Sequence, residues 1–281
     1  MDYIGSLIGM LPFDWAQTAF MKNALVAVLL LSPLFGLIST MVVSNKVSFF
    51  SDALGHSAFT GIVIGALLGM VTPIWCAILF ALFFSVLFSV IKMRSTLSSD
   101  TIIGVFSATA VSLGIFLATL NGGSFTKFNS YLIGDILSVS RDEITMLFIL
   151  LIAVILIWCL FINRFALTAT FSTLAKSRGV NADMCNMIFS ALIAMAVTLC
   201  MQWVGLLVIN SFIMLPAAAS RCVSKNMKGY HAVSVIGSII CGISGLMIAY
   251  YLGSSAGACI SLCLAVFFIV CYVVGKIRKT I

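Results

Sequence analysis

Charge is what this sequence has least of. Only 8% of its 281 residues are Asp, Glu, Lys or Arg, where a soluble domain carries roughly 25%. So few charges cannot clothe a water-facing surface. With 62% hydrophobic residues and a mean hydropathy of +1.23, the chain reads as an all-α polytopic membrane protein. It contains no Gly-x-x-x-x-Gly-Lys-[Ser/Thr], and Gly275-Lys276 lacks the rest of that pattern, so no P-loop is present to hydrolyse ATP. His-Glu-x-x-His is missing too, which excludes that class of zinc hydrolase. No Cys-x-x-Cys occurs among the nine cysteines, most of which lie in apolar runs as small core hydrophobes. Cys259 and Cys263 share a helix face, without further thiols to make a soft-metal site. The net charge of +7 is dispersed over short loops, which argues against a nucleic-acid surface. The start lacks the basic region of a cleavable signal. With Ile4, Leu7, Ile8, Leu11, Phe13 and Trp15, residues 1–21 read as an N-terminal interfacial segment.

Histidine occurs twice and acidic residues eight times. One of each meets in Ser51-Asp52-Ala53-Leu54-Gly55-His56, inside an apolar run, while every other acidic residue lies outside such runs or at their ends. Ionisable groups at membrane depth are costly and mark a substrate path, a relay or a paired site. At i and i+4 the carboxylate and the imidazole share one helix face, as two ligands of one metal ion must.

A hydrocarbon core of about 30 Å takes about 20 apolar residues per helix. That ruler gives spans at 22–44, 49–70, 72–91, 101–120, 144–163, 187–202, 204–220, 231–252 and 256–275, a bundle of eight or nine helices. The run 187–220 is broken at Gln202-Trp203-Val204-Gly205, and is read as a tight or re-entrant hairpin. With nine spans, twelve Lys and Arg fall on one side, and only Lys22, Lys127 and Arg141 on the other. The first side is then cytoplasmic, with the N-terminus outside and the basic tail 276–281 inside. Counting from Lys46 at 1.5 Å per residue places Asp52 about 9 Å and His56 about 15 Å deep. The surrounding Ser51, Ala53, Gly55, Ser57, Ala58, Gly61, Gly65 and Gly69 allow close helix approach, which buries this span in the bundle.

Imidazole nitrogen and carboxylate oxygen suit Zn²⁺, Mn²⁺ and Fe²⁺ alike. Two ligands do not complete a site, and a homodimer with this helix beside a two-fold axis would supply four. Two other readings fit the same residues: Asp52 with Ser51 as a helix cap, and His56 as a packed residue hydrogen-bonded to a neighbour. Asp135, in the outer loop 121–143, is a candidate outer gate or a solvated loop carboxylate. The segment from Leu174 to Asp183 reads as a short helix ended by Gly179, or as an ordinary connection.

From about residue 20 to 275 the chain resembles the permease subunit of ATP-binding-cassette importers for zinc, manganese and iron, a type II importer-like fold. The resemblance rests on Ser48-Phe49-Phe50-Ser51-Asp52-Ala53-Leu54-Gly55-His56 after the basic Lys46, on Tyr131-Leu132-Ile133-Gly134-Asp135, and on Trp203-Val204-Gly205-Leu206 through Leu215-Pro216-Ala217. It implies a multi-pass protein of the bacterial cytoplasmic membrane, working as a homodimer with cytoplasmic ATPase subunits and an extracytoplasmic metal-binding protein. It implies no permanently bound cofactor, the divalent ion being substrate, with Asp52 and His56 at the intramembrane metal position. It also implies that the segment 172–186, around Ala175, Arg178, Gly179 and Val180, couples to the ATPase. The Tyr-Leu-Ile-Gly-Asp block leans to the zinc branch. Two departures stand out. Gly253-Ser254-Ser255-Ala256-Gly257 lacks the Asp and Pro of relatives, and Phe106-Ser107-Ala108 stands where some zinc-type relatives carry a His. Two rival classes remain at this level: a proton-coupled secondary transporter using Asp52 and His56 as relay, and a membrane scaffold without transport of its own.

Overall fold

The structure is a computed structural model that describes residues 18–70, 72–120, 134–170, 175 and 177–280. Residues 1–17 of the expected interfacial segment, residues 121–133 of the expected outer loop with Lys127 and Tyr131, and Leu174 and Lys176 lie outside the described residues. Among the described residues nine helices are long and apolar enough to cross a membrane, and there is no strand. They are α1 (Ala19–Ser44), α2 (Phe50–Leu67), α3 (Ile74–Arg94), α4 (Ser99–Thr119), α5 (Arg141–Thr170), α6 (Ala182–Val204), α7 (Leu206–Val223), α8 (Met227–Leu252) and α9 (Ala256–Thr280).

Every expected span is present, and the differences lie at the ends. Hydropathy stops at the first polar residue, whereas a helix continues while its backbone is hydrogen-bonded and capped. Thus α8 starts at Met227, where the Asn226 side chain accepts from Gly229 N at 2.7 Å. Likewise Ser98 caps α4 through Thr101 N at 3.2 Å. α5 has 30 residues, where the apolar ruler gave twenty. At 1.5 Å per residue it is about 45 Å long, and so outreaches a hydrocarbon core. Between α6 and α7 only Gly205 is non-helical, at φ +87°, in the region a side-chain-bearing residue avoids.

The described residues pack as two compact units. The first holds α1 to Thr40, Asp135–Ile155 and the chain from Trp203 onward. In it α7 packs on α8 and α9, and α8 on α9. A seam of hydroxyls ties α8 to α1: Ser39 Oγ and Ser234 Oγ are 3.0 Å apart, and Ser234 donates to Gly36 O at 2.8 Å. One turn on, Thr40 Oγ1 and His231 Nδ1 are 2.8 Å apart, while Tyr230 Oη donates to Thr40 O at 3.2 Å.

The second unit holds Met41–Gly134 and Leu156–Gln202, again for the described residues. Here α2 packs on both α3 and α4. Its seam with α3 is glycine on backbone: a Cβ at Gly61 would lie 2.6 Å from Ala77 Cα and 2.9 Å from Cys76 O. Against α4, Thr60 Oγ1 donates to Ala110 O at 2.7 Å. An aromatic cluster packs the other end of the α2–α3 pair, where α2 begins and α3 ends. Phe50 and Phe88 stack at 4.3 Å, and Phe106 meets Phe84 and Phe88 edge-on at 4.8 and 5.8 Å. Phe106 is therefore part of the hydrophobic packing at the place where a fourth-span ligand was in question.

Candidate functional site

α2 begins after a turn rather than as an extension of α1. Lys46 takes φ +55°, and the N-cap position is Phe49, with no side-chain cap. The N-cap position is thus Phe49 rather than Ser51 or Asp52, and Asp52 lies in the first turn, where a carboxylate also favours the helix start. Residues 45–49 form the connecting turn, so positions along α2 are counted from Phe50. Measured from its own start, α2 carries Asp52 about 3 Å and His56 about 9 Å along a rod of about 27 Å. The pair sits in the first third of the helix.

From Phe50 to Val63 every residue of α2 is buried except Asp52 and His56. Their side chains keep 41% and 26% of their exposure. The small residues that let α3 and α4 close around the helix leave one strip open, and that strip holds the two ionisable groups. His56 Nε2 lies 3.5 Å from Asp52 Oδ2. Bonds of about 2.1 Å at a tetrahedral angle put two donor atoms of one ion about 3.4 Å apart. The pair is thus already spaced as neighbouring ligands of a single ion. Among the described residues no group of three or more His, Cys, Asp and Glu side chains is placed to hold a metal. The described part of one chain supplies two positions and no more.

The other candidates fall into place separately. Asp135 Oδ1 accepts from Leu137 N at 3.0 Å, and Ser138 Oγ donates to Asp135 O at 2.8 Å. These bonds build the 3₁₀ turn Ile136–Ser138, so this carboxylate has a local structural job. Ala175 is buried, and its carbonyl accepts from Arg178 N at 3.2 Å and from Val180 N at 3.0 Å. Gly179 ends that turn at φ +71°, with nothing within 4 Å of where a Cβ would stand. The structure thus gathers Ala175, Arg178, Gly179 and Val180 into one closed turn, with Arg178 and Gly179 exposed. Gly253-Ser254-Ser255-Ala256-Gly257 satisfies Gly-x-Ser-x-Gly by letter. It joins two helices, however, with Gly253 at φ +62° ending α8, and the strand a nucleophile elbow requires is not there.

The sequence profile of the ABC 3 transport family matches residues 17–275. The chain belongs to the ABC 3 transport family. Within that permease family it is 29% identical to the manganese import system permease protein ScaB of Streptococcus parasanguinis, over 94% of each chain. It is 26% identical to the high-affinity zinc uptake system membrane protein ZnuB of Haemophilus influenzae, over 88% of this chain and 94% of that one. Among solved structures it is similar to PsaBC from Streptococcus pneumoniae in complex with Fab, with a TM-score of 0.78 and 25% identity over 97% and 95% of the two chains. The ABC 3 match runs from before α1 into α9, so α2 with its pair and the turn at Gly179 both lie within it.

Proposed function

We propose that this ABC 3 permease carries a divalent transition-metal ion into the cell, with Asp52 and His56 as one half of its intramembrane site. The observation that carries the reading is the open strip of α2. On a helix buried everywhere else up to Val63, the two half-buried side chains are one carboxylate and one imidazole, spaced as ligands of a common ion. A second copy of the chain, presenting the same strip across a two-fold axis, completes a shell of four.

Zn²⁺ and Mn²⁺ both accept this donor set, and the relatives named for zinc and for manganese match at similar identity. The Tyr131-to-Asp135 block keeps Zn²⁺ as the favoured ion. Two ligands from each copy make a site that can also release its ion, as transport requires. Energy comes from ATP on separate subunits, since this sequence has no P-loop. Their docking point is the turn Ala175–Val180, where exposed Arg178 and Gly179 stand on a buried Ala175. Closure of the ATPases rocks the helices and alternates access to the pair. An external metal-binding protein delivers the ion to the face opposite the basic loops, with the N-terminus outside and the C-terminus inside.

The test is accumulation of radioactive zinc and manganese by cells carrying Asp52→Ala or His56→Ala at wild-type membrane abundance. Each variant is expected to lose at least ten-fold, and unchanged accumulation in both would remove the pair from the path. Uptake that continued without a co-expressed ATPase and collapsed with a protonophore would favour the proton-coupled reading instead.

A further inference from the structure

We propose that the second unit holds a zwitterionic aminophospholipid, of the phosphatidylethanolamine class, by its headgroup. The site is a cavity of about 510 Å³ where α2 and α6 begin and α3 ends, within the range of roughly 300–1,000 Å³ usual for small-ligand sites. Its polar lining is Asn45, Ser89, Lys92, Asp183, Asn186 and Ser190. Two of these are already spent on each other: Ser89 and Ser190 Oγ lie 2.6 Å apart, and Ser190 donates onward to Met187 O at 3.1 Å. Asn45 Nδ2 is also used, on Met41 O at 3.0 Å, which leaves its Oδ1 as an acceptor.

What is left is one cation, one carboxylate and two amides. Lys92 is half-buried, and among the described residues no ion pair joins it to Asp183 or to any other carboxylate. A partly desolvated ammonium without a counter-charge is costly, and an anionic group in the cavity relieves it. A metal ion is the wrong occupant, because Lys92 lines the same space. A simple anion is also a poor fit, because it would face Asp183. A ligand bearing both signs satisfies both walls: a phosphate on Lys92 and the Asn186 amide, and a primary ammonium on Asp183 and Asn45 Oδ1.

The rest of the lining says that this ligand has a tail. Phe50, Phe88 and Phe189 form an apolar wall beside the charged groups, and a soluble phosphoester would leave it unused. The cavity also lies at the end of the unit that carries Lys46, Lys92 and Arg94. The charge asymmetry assigns this end to the cytoplasmic leaflet, where lipid headgroups meet basic pockets between helices. The inference does not depend on the metal reading. The headgroup would touch the first residue of α2, two before Asp52, and the first turn of α6, just after the turn at Gly179.

The experiment is native mass spectrometry on the full chain, purified in detergent and stripped of lipid. The stripped chain is then titrated with phosphatidylethanolamine, phosphatidylglycerol or glycerophosphoethanolamine, the soluble headgroup. One phosphatidylethanolamine per chain is expected, bound at least ten-fold more tightly than phosphatidylglycerol. Lys92→Ala should weaken it at least ten-fold, and Lys92→Arg should retain it. Asp183→Asn should abolish the preference over phosphatidylglycerol without lowering the melting temperature. Equal binding of the two lipids by the wild type, or wild-type binding by Lys92→Ala, would overturn the proposal. If the soluble headgroup binds as tightly as the lipid, the site belongs to soluble phosphoesters and the lipid assignment falls.

Discussion

Gly61→Ala adds one methyl group at the point where α2 meets α3 most closely. The new Cβ would stand 2.6 Å from Ala77 Cα and 2.9 Å from Cys76 O. Both are backbone atoms, so no rotamer change makes room. Carbon atoms pack at about 3.5–4.0 Å, so the helices must separate by about 1 Å along this seam. Overpacking of this kind costs about 1–3 kcal/mol, partly offset by the helix propensity of Ala over Gly, about 1 kcal/mol. The net expectation is a loss of up to about 2 kcal/mol, or several degrees of melting temperature at about 2–4 °C per kcal/mol. Gly104→Ala in α4 is the matched control, because nothing lies within 4 Å of its would-be Cβ. It gains the propensity without the clash and should melt at or above wild type. A thiol-reactive dye suits the assay, since Cys200 and Cys241 are buried and become reactive only on unfolding. Metal accumulation is read in parallel, and should fall for Gly61→Ala alone, since α2 carries Asp52 and His56. Equal melting temperatures for the two variants would refute the claim that backbone contact at Gly61 holds α2 in place.

Three further outcomes are expected. If Asp52 and His56 bind one ion together, the double variant Asp52→Ala/His56→Ala should accumulate no less metal than the worse single variant, within about two-fold; additive losses would mean separate roles. Gly179→Ala meets no neighbour but must hold φ +71°, at a cost of about 1–2 kcal/mol; it and Arg178→Ala should lower transport-coupled ATP hydrolysis while leaving metal binding by the detergent-purified chain unchanged. Ser234→Ala removes the bonds to Gly36 O and Ser39 Oγ. At about 0.6 kcal/mol for each hydrogen bond in a membrane interior, it should lower stability by about 1 kcal/mol in the same melting assay.

Much of this architecture was legible before any coordinates. Apolar run length is set by the bilayer, and it located all nine helices; their ends depend on caps such as Asn226 and Ser98, which hydropathy ignores. The Asp52–His56 pairing followed from helical period alone. That these two are the only residues between Phe50 and Val63 not fully buried did not, because it depends on how α3 and α4 close around Gly61 and Thr60. The turn at Lys46, which sets where α2 starts, was also not legible, because hydropathy does not register a single positive-φ residue. The cavity at Lys92 had no sequence signal at all: its walls come from positions 45 to 193, and only packing brings them together.

The glycine seam on α2 has a consequence for how the chain enters the membrane. With a mean hydropathy of 1.2, α2 is the least apolar of the nine described spans, whereas α3, which follows it, reaches 2.7. A segment carrying Asp52 and His56 gains little from lipid on its own. Its partition into the bilayer should therefore depend on α3, whose backbone receives Gly61, so that the two insert as a hairpin. Any change that widens this seam would then act during biogenesis, as chains degraded before they are assembled, and not only as folded permeases with lowered activity.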